Sequence, residues 1–250
     1  MTPSVSYSVN QRIGTILIES PPVNALSHSV RSGILERLTM ASNDDTEIVI
    51  LRCEGRTFIA GADISEFGKP PQEPSLATVL DALESFPKPV LAAIHGTALG
   101  GGLELALCCD YRLAIETAKV GLPEVNLGLL PGAGGTQRLA ALAGKGMAMR
   151  WMLTGEFIDA QQALAIGLVT EVCEPELTEE RAIELAQMIC KKAPLAVVEI
   201  KQAIRAATDT PLNDGLAVER AAFTRLLDSE DKIEGISAFK EKRSARFRGE

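Results

Sequence analysis

The chain has 250 residues, of which 46% are hydrophobic and 23% are charged, so it is long enough to bury one globular core. Its net charge of −8 argues against broad binding to nucleic-acid phosphates, and an aromatic content of 4% argues against base stacking. The five cysteines form no CxxC pair, which favours reduced, buried thiols. The sequence shows no signal-peptide pattern and no apolar run of transmembrane length, so we expect a cytoplasmic protein that binds neither nucleic acid nor membrane.

The first ninety residues alternate between predicted strands and predicted helices. Strands are predicted at Tyr7–Val9, Ile13–Ile18 and Ile48–Leu51, and helices at Ser27–Asn43 and through Leu76, Val79, Leu80 and Leu83. Pro21-Pro22 ends the second strand, since proline donates no ladder hydrogen bond. Small residues at 60–62 permit a tight turn, after which Asp63 can cap a short helix. The proline-rich segment 69–74 is predicted to be a mobile surface loop.

From residue 90 onwards the pattern passes from strands to helices. The predicted strands are Val90–Ile94, Tyr111–Ile115 and Val169–Val172, and the predicted helices are 139–152, 160–166 with Asp159 as its cap and Gly167 at its end, 178–192, 195–208, 212–227 and 233–246. We therefore predict an α/β core over residues 1–175, which contains the functional site, and a helical region over residues 176–250.

A glycine triplet at Gly100–Gly102 follows the predicted strand Val90–Ile94 and opens a helix-like segment. At such a turn a glycine N–H can point at a ligand, and the helix N-terminus adds partial positive charge. Gly101 is therefore a candidate oxyanion donor, and Ala62 in the other small-residue turn is the natural second donor. For either turn alone, a tight turn with no further role is the favoured interpretation, and it is the combination of two such turns with two nearby glutamates that favours a functional site.

Two glutamates lie in apolar surroundings close to these turns. Glu104 stands just inside the predicted helix, and Glu124 follows Pro123 twenty residues later. Burial raises the pKa of a carboxyl and suits it to proton transfer, and two carboxylates can hold one water between them. Each glutamate taken singly could equally be a helix cap or a salt-bridge partner.

Other catalytic patterns do not fit the sequence. It contains no GxSxG elbow, and the glycines around 132 and 144 match neither a dinucleotide fingerprint nor a P-loop. The two histidines have no ligand spacing to cysteine, so we expect no metal site, and His95 is interpreted as a core histidine rather than a base.

Several motifs together resemble the enoyl-CoA hydratase/isomerase (crotonase) superfamily. They are IAGADI (59–64), PKPVLAAIHGTALGGGLELALCCDYRLA (87–114), GLPEVNLGLLPGAGGTQRL (121–139), LTGEFIDAQQALAIGLV (153–169) and EGISAFKEKRSARF (234–247). The resemblance covers essentially the whole chain and is closest to a stand-alone hydratase. The segment PPVNAL (21–26) also resembles the hydratase portion of multifunctional fatty-acid oxidation enzymes.

The resemblance implies a spiral of ββα units followed by helices that assemble a homotrimer, often a dimer of trimers. It implies an acyl-CoA thioester ligand, with no metal and no cofactor beyond the coenzyme A of the substrate. The amides of Ala62 and Gly101 would bind the thioester oxygen, and Glu104 and Glu124 would be catalytic. Further substrate or coenzyme A contacts are implied at Ala60, Gly61, Asp63, Ile64, Gly100, Pro123, Phe239 and Lys242. Ser65 stands where many hydratases carry a lysine that contacts phosphate.

The resemblance favours an enoyl-CoA hydratase that adds water syn across a trans-2-enoyl-CoA, because isomerases of the superfamily often keep only the glutamate that matches Glu124. A Δ3,Δ2-enoyl-CoA isomerase and a dehydratase of a polar acyl-CoA stay open as alternatives. So does a non-catalytic oligomer that binds coenzyme A esters, or RNA through its basic tail, although the net charge of −8 argues against RNA. Acyl chain length and pathway cannot be derived from the sequence, and the pocket walls are expected around residues 65–86 and in the C-terminal helices.

Overall fold

The computed structural model describes residues 2–250 and shows an α/β fold built on a six-stranded sheet. Within these residues the strand order of this sheet is β1-β2-β3-β5-β7-β10. The strands are β1 (Ser4–Asn10), β2 (Ile13–Glu19), β3 (Ile48–Cys53), β5 (Val90–Ile94), β7 (Tyr111–Ile115) and β10 (Glu171–Cys173). Apart from the antiparallel pair β1–β2, neighbouring strands run parallel.

The centre of the large sheet is buried on both faces, which explains why its central strands are continuously apolar. Val49 and Leu51 pack into the main core, whereas Ile48 and Ile50 face a second cluster on the opposite side. Helix α6 (Thr178–Cys190) covers this second face. The predicted strands of this sheet are confirmed, with β10 beginning two residues later and ending one residue later than predicted.

A second sheet was not predicted from the sequence. In the part of the chain that the structure describes it has four strands in the order β4-β6-β8-β9. They are β4 (Thr57–Ile59), β6 (Thr97–Leu99), β8 (Lys119–Gly121) and β9 (Ile158–Asp159). Strands of two or three residues are too short to show a period-2 pattern, so hydrophobic periodicity could not reveal them.

The two sheets are linked by repeated ββα units. In each unit the first strand joins the large sheet, the second joins the small sheet, and a helix follows. Three successive units are β3-β4-α2, β5-β6-α3 and β7-β8-α4, with helices α2 (Leu76–Glu84), α3 (Gly101–Leu107) and α4 (Gly135–Thr154). The remaining helices are α1 (His28–Ser42), α5 (Ala160–Ala165), α7 (Pro194–Asp209), α8 (Leu212–Leu227) and α9 (Glu230–Glu241).

Most predicted helices and caps are confirmed. Asp159 accepts from the Gln162 amide in a capping box, and Asp63 accepts from Ser65 at the start of a 3-10 turn over Ile64–Glu66. The last predicted helix is too long, since α9 ends at Glu241 rather than near residue 246. Lys242 adopts a left-handed φ of 55°, which stops a right-handed helix.

The segment after α9 folds back along its own helix. Arg243 forms a bidentate pair with Glu234, and the Asp231 carboxylate accepts from the amides of Arg248 and Gly249 at 2.7 and 2.8 Å. Within residues 2–250, no helix is both long enough and apolar enough to cross a bilayer. The predicted division at residue 175 stays a prediction.

We expect the close packing of α3 on β4 to tolerate no side chain at Gly102. A Cβ there would collide with the Ile59 carbonyl and lie 2.7 Å from the Ile59 Cβ. Gly102→Ala should therefore lower the free energy of unfolding by about 2–3 kcal/mol. Gly146→Ala is the matched control in an open position of α4, and should gain about 0.5–1 kcal/mol. Equal urea midpoints for the two variants would contradict this packing.

Candidate active site

The parallel strands β4, β6 and β8 bring three loops to one edge of the small sheet. Ile59 pairs with Ala98, and Leu99 pairs with Gly121. Because the carboxyl ends of parallel neighbours lie side by side, the loops after these strands meet. The Gly100 amide donates to the Gly121 carbonyl at 2.9 Å and locks two of the loops together. The candidate site is built on these loops.

The amides of Ala62 and Gly101 lie next to each other at this edge. A Cβ built on Gly101 would stand 3.4 Å from the Ala62 nitrogen. Each turn contains a glycine with a positive φ angle, Gly61 at +132° and Gly100 at +51°, and this backbone conformation permits the close approach. Neither amide donates to a carbonyl in the turns of residues 2–250. Both N–H groups are therefore available to a ligand oxygen.

Glu104 is held rigidly in the first turn of α3. It is only 2% exposed, and its Oε1 accepts from the amides of Ala133 and Gly135, both at 2.8 Å. A Cβ on Gly135 would stand 3.0 Å from that same oxygen, so the close contact requires glycine there. With Oε1 occupied by two donors, Oε2 is the oxygen left to bind a water.

Glu124 lies beside the turn at Gly100 and lines the same cleft as Glu104. It begins a 3-10 turn over Glu124–Leu127, and its Oε1 stands 3.1 Å from a Cβ built on Gly100. Its Oε2 is buried without a hydrogen-bond partner in the described chain. Burial raises the pKa of the Glu124 carboxyl, and the nearby charge of Glu104 raises it further. A partnerless, buried carboxyl oxygen is suited to exchanging a proton with a ligand.

The two turns and two glutamates line one cleft of about 600 Å³. Of the residues predicted for the site, it brings together Ala60, Gly61, Ala62, Ile64, Gly100, Gly101, Glu104, Pro123 and Glu124. Asp63 is not in the lining, because its carboxylate caps the turn at Ser65. Phe239 and Lys242 also lie outside this cleft in the single chain, and Phe239 is 85% exposed.

The cleft walls correct the expectation drawn from the sequence. Phe67, Leu76 and Ala77 fall within the expected range, but the C-terminal helices of the described chain contribute no wall. The walls that sequence reasoning missed are Asn126, Leu127, Leu129, Leu130, Gly132, Ala133 and Phe157. The apolar residues that follow Glu124 at 125, 127, 129 and 130 were an available signal, since a surface loop rarely carries so many.

Arg31 of α1 links three segments next to the cleft through hydrogen bonds. Its buried guanidinium donates to the carbonyls of Leu26 and Pro74 and to the Glu66 carboxylate, each at 2.8 Å. Leu26 in turn donates to the Gly61 carbonyl at 2.9 Å. The loop over residues 69–74, predicted to be mobile, is therefore an exposed loop that is anchored to α1 by hydrogen bonds.

His95 and the five cysteines lie outside the cleft that holds the two glutamates. His95 bonds the Gly55 carbonyl at 3.0 Å and meets Phe58 edge-on, while burial lowers the pKa of its ring. Burial also raises the pKa of all five thiols, which are free, with four buried and Cys173 partly buried. Across residues 2–250, no cluster of three or more His, Cys, Asp or Glu side chains could hold a metal ion.

Stacked ββα units with two carboxylates facing two free amides are the arrangement expected of the crotonase superfamily. The chain belongs to the enoyl-CoA hydratase/isomerase family, whose profile matches residues 8–250. It is 42% identical to the 2,3-dehydroadipyl-CoA hydratase of Escherichia coli over 97% of each chain. It is 39% identical to the crotonyl-CoA hydratase of Syntrophomonas wolfei over 95% of each. Among solved structures, an enoyl-CoA hydratase from Bacillus anthracis superposes with a TM-score of 0.92 at 39% identity over 100% of both chains.

We expect Glu124 to destabilise the folded chain where its carboxyl is ionised. Its folded pKa lies above the ordinary value of 4.5, so the penalty is absent at low pH and develops as pH rises through 4.5 towards the folded pKa. Glu124→Gln should therefore raise the free energy of unfolding by about 0.5–1 kcal/mol near pH 8, a gain kept small by partial solvent screening. Urea unfolding near pH 8 and pH 4 measures it, and the gain should disappear at the lower pH.

Glu116→Gln is the matched control, because Glu116 is exposed and lies outside the cleft. It should leave the unfolding free energy unchanged at both pH values. A Glu124→Gln variant that is no more stable than the original chain near pH 8 would contradict the inferred penalty.

Proposed function

We propose that the protein is an enoyl-CoA hydratase that adds water to a trans-2-enoyl-CoA to give a 3-hydroxyacyl-CoA. The observation that carries the proposal is the pair of free amides at Ala62 and Gly101, faced by Glu104 and Glu124 in one cleft. Hydration of a conjugated thioester places negative charge on its carbonyl oxygen. Two preorganised N–H donors stabilise that charge, and each such donor contributes roughly 100- to 1,000-fold in rate.

The two glutamates divide the proton chemistry of this proposal. Glu104, with Oε1 fixed by two amides, would hold the water through Oε2 and take its proton as the oxygen attacks Cβ. Glu124, whose raised pKa favours the protonated form, would deliver a proton to Cα. Both carboxyls face the same cleft, so water oxygen and proton would add to one face of the double bond, which is syn addition.

Coenzyme A binding and assembly belong to the same proposal. We place the adenine and phosphate of coenzyme A against Phe239 and Lys242 of a neighbouring subunit in a homotrimer or a dimer of trimers. An apolar ring that is 85% exposed, next to a lysine held in a left-handed turn, suits such a contact. The reaction as proposed needs no metal and no redox cofactor, and we place it in the cytoplasm, in fatty-acid β-oxidation or related acyl-CoA catabolism.

The alternative is a Δ3,Δ2-enoyl-CoA isomerase. The partnerless Oε2 of Glu124 favours it, since one carboxylate can carry a proton between two carbons of the substrate without water. The Glu104 carboxylate, fixed by two amides in the same cleft, would then have no catalytic use. A dehydratase would use the same groups in the reverse direction.

Loss of the conjugated thioester absorbance of crotonyl-CoA tests the proposed reaction. We expect the purified protein to hydrate it, and Glu104→Gln to lower kcat by about 100- to 10,000-fold because the base for water is lost. Glu116→Gln, an exposed position outside the cleft, is the control and should retain full activity. If the purified protein turns over no short-chain or medium-chain enoyl-CoA, the proposal is contradicted. Retained isomerisation of a 3-enoyl-CoA, with little effect of Glu104→Gln on it, would favour the alternative.

Lys242→Gln tests the proposed coenzyme A contact. Removing a charge-assisted phosphate contact should raise KM for crotonyl-CoA about tenfold and leave kcat unchanged, because the reacting atoms are untouched. Lys240→Gln, at an exposed position two residues earlier, should change neither parameter. Identical KM values for the two variants would remove Lys242 from the binding site.

A further inference from the structure

The walls of the cleft are apolar along most of its length. Its large side chains are Ile64, Phe67, Leu76, Leu127, Leu129, Leu130 and Phe157. Several of them are strongly exposed in the single chain, Leu130 at 68% and Ile64 at 64%. Exposed apolar side chains gathered in one cleft indicate a surface that an apolar ligand covers.

The ionisable groups in the cleft have a single sign of charge. Within the described residues the lining contains Glu104 and Glu124 and no lysine, arginine or histidine. The unpartnered Oε2 of Glu124 already indicates that the cleft disfavours a buried negative charge. A carboxylate brought in by a ligand would be repelled by the Glu104 carboxylate and would lose its water without gaining a cationic partner.

The arginines that support the cleft walls are already occupied. Arg31 is paired with Glu66 and bonded to carbonyls, and Arg138 forms a bidentate pair with Glu84 at 3.1 and 2.6 Å. Releasing either guanidinium for a ligand would break a wall contact and leave a carboxylate unpaired. Neither arginine is therefore free to receive a charged acyl chain.

We infer that the cleft takes an uncharged, apolar acyl chain and discriminates against one that ends in a carboxylate. The inference rests on the proposed function and deepens it by naming the substrate class. The inferred preference is the opposite of the one that the name of the 42% identical 2,3-dehydroadipyl-CoA hydratase suggests, because the acyl group in that name ends in a carboxylate. Leu76 of α2 lies against the turn that holds the thioester, because a Cβ built on Gly101 would stand 2.9 Å from Leu76 Cδ2. The acyl chain of the ligand therefore extends from this turn along the α2 wall, which Leu76 and Ala77 line.

A matched pair of six-carbon substrates tests the inference. trans-2-Hexenoyl-CoA and 2,3-dehydroadipyl-CoA differ only in a terminal methyl group against a terminal carboxylate. We expect kcat/KM to be at least about 100-fold higher for the hexenoyl ester. Inhibition of crotonyl-CoA hydration by hexanoyl-CoA and by adipoyl-CoA gives a second readout without turnover of the probe, and the hexanoyl ester should bind more tightly.

The outcomes separate this inference from the function on which it rests. Hydration of crotonyl-CoA together with equal or faster turnover of the dicarboxylic ester would overturn the inference and leave the proposed function standing. No turnover of any of the three esters would overturn both. A strong preference for hexenoyl-CoA in turnover and for hexanoyl-CoA in inhibition would support both.

A gain-of-function variant tests the charge argument directly. Ala77→Lys places a cation on an exposed position of the α2 wall, and should raise kcat/KM for the dicarboxylic ester relative to hexenoyl-CoA by about tenfold. Ala165→Lys is the control, at an exposed helix end outside the cleft, and should leave the ratio unchanged. The same ratio in both variants would contradict an acyl chain lying along this wall.

Discussion

The site depends on the parallel alignment of three short strands, β4, β6 and β8. Each contributes only a few backbone hydrogen bonds, yet their register decides which residues meet at the carboxyl edge of the small sheet. Ala62 follows β4, Gly101 follows β6 and Glu124 follows β8, so the two amides and one carboxyl come from three different ββα units. The large sheet fixes the positions of these units, because its central strands β3, β5 and β7 are buried on both faces.

Packing behind the site keeps these groups in place. Gly102 lets α3 lie directly against β4, and Gly135 lets two amides reach Glu104. Arg31 links α1 to the wall loops and, through Leu26, to the turn before Ala62. Glu124 is the exception, since its buried Oε2 lacks a partner in the described chain. Polar groups are usually satisfied when buried, so an unsatisfied one in a cleft is characteristic of a reactive position.

The sequence allowed the large sheet and most helices to be predicted, and it singled out the four residues that the structure brings together in one cleft, whose catalytic roles stay predictions. Long apolar runs such as Val90–Ile94 carry a clear pattern, and glycine turns beside Glu104 and Glu124 carry distinctive chemistry. The small sheet was missed because strands of two or three residues show no period. The run of apolar residues over 127–130 was a usable signal for an exposed binding surface, but its place in the cleft wall depends on contacts with distant segments and could not be derived from local sequence. The roles of Phe239 and Lys242 stay predictions, since a contact between subunits cannot be derived from one chain.

The central claim is that a thioester oxygen lies between the amides of Ala62 and Gly101. Infrared spectroscopy of a carbonyl-¹³C-labelled crotonyl-CoA, bound to a chain carrying both Glu104→Gln and Glu124→Gln so that the ester persists, tests it most directly. Two N–H donors withdraw charge from the carbonyl, so its stretching band should move to lower frequency than in buffer. A carbonyl band that keeps its solution frequency while the protein is saturated with ester would contradict the account.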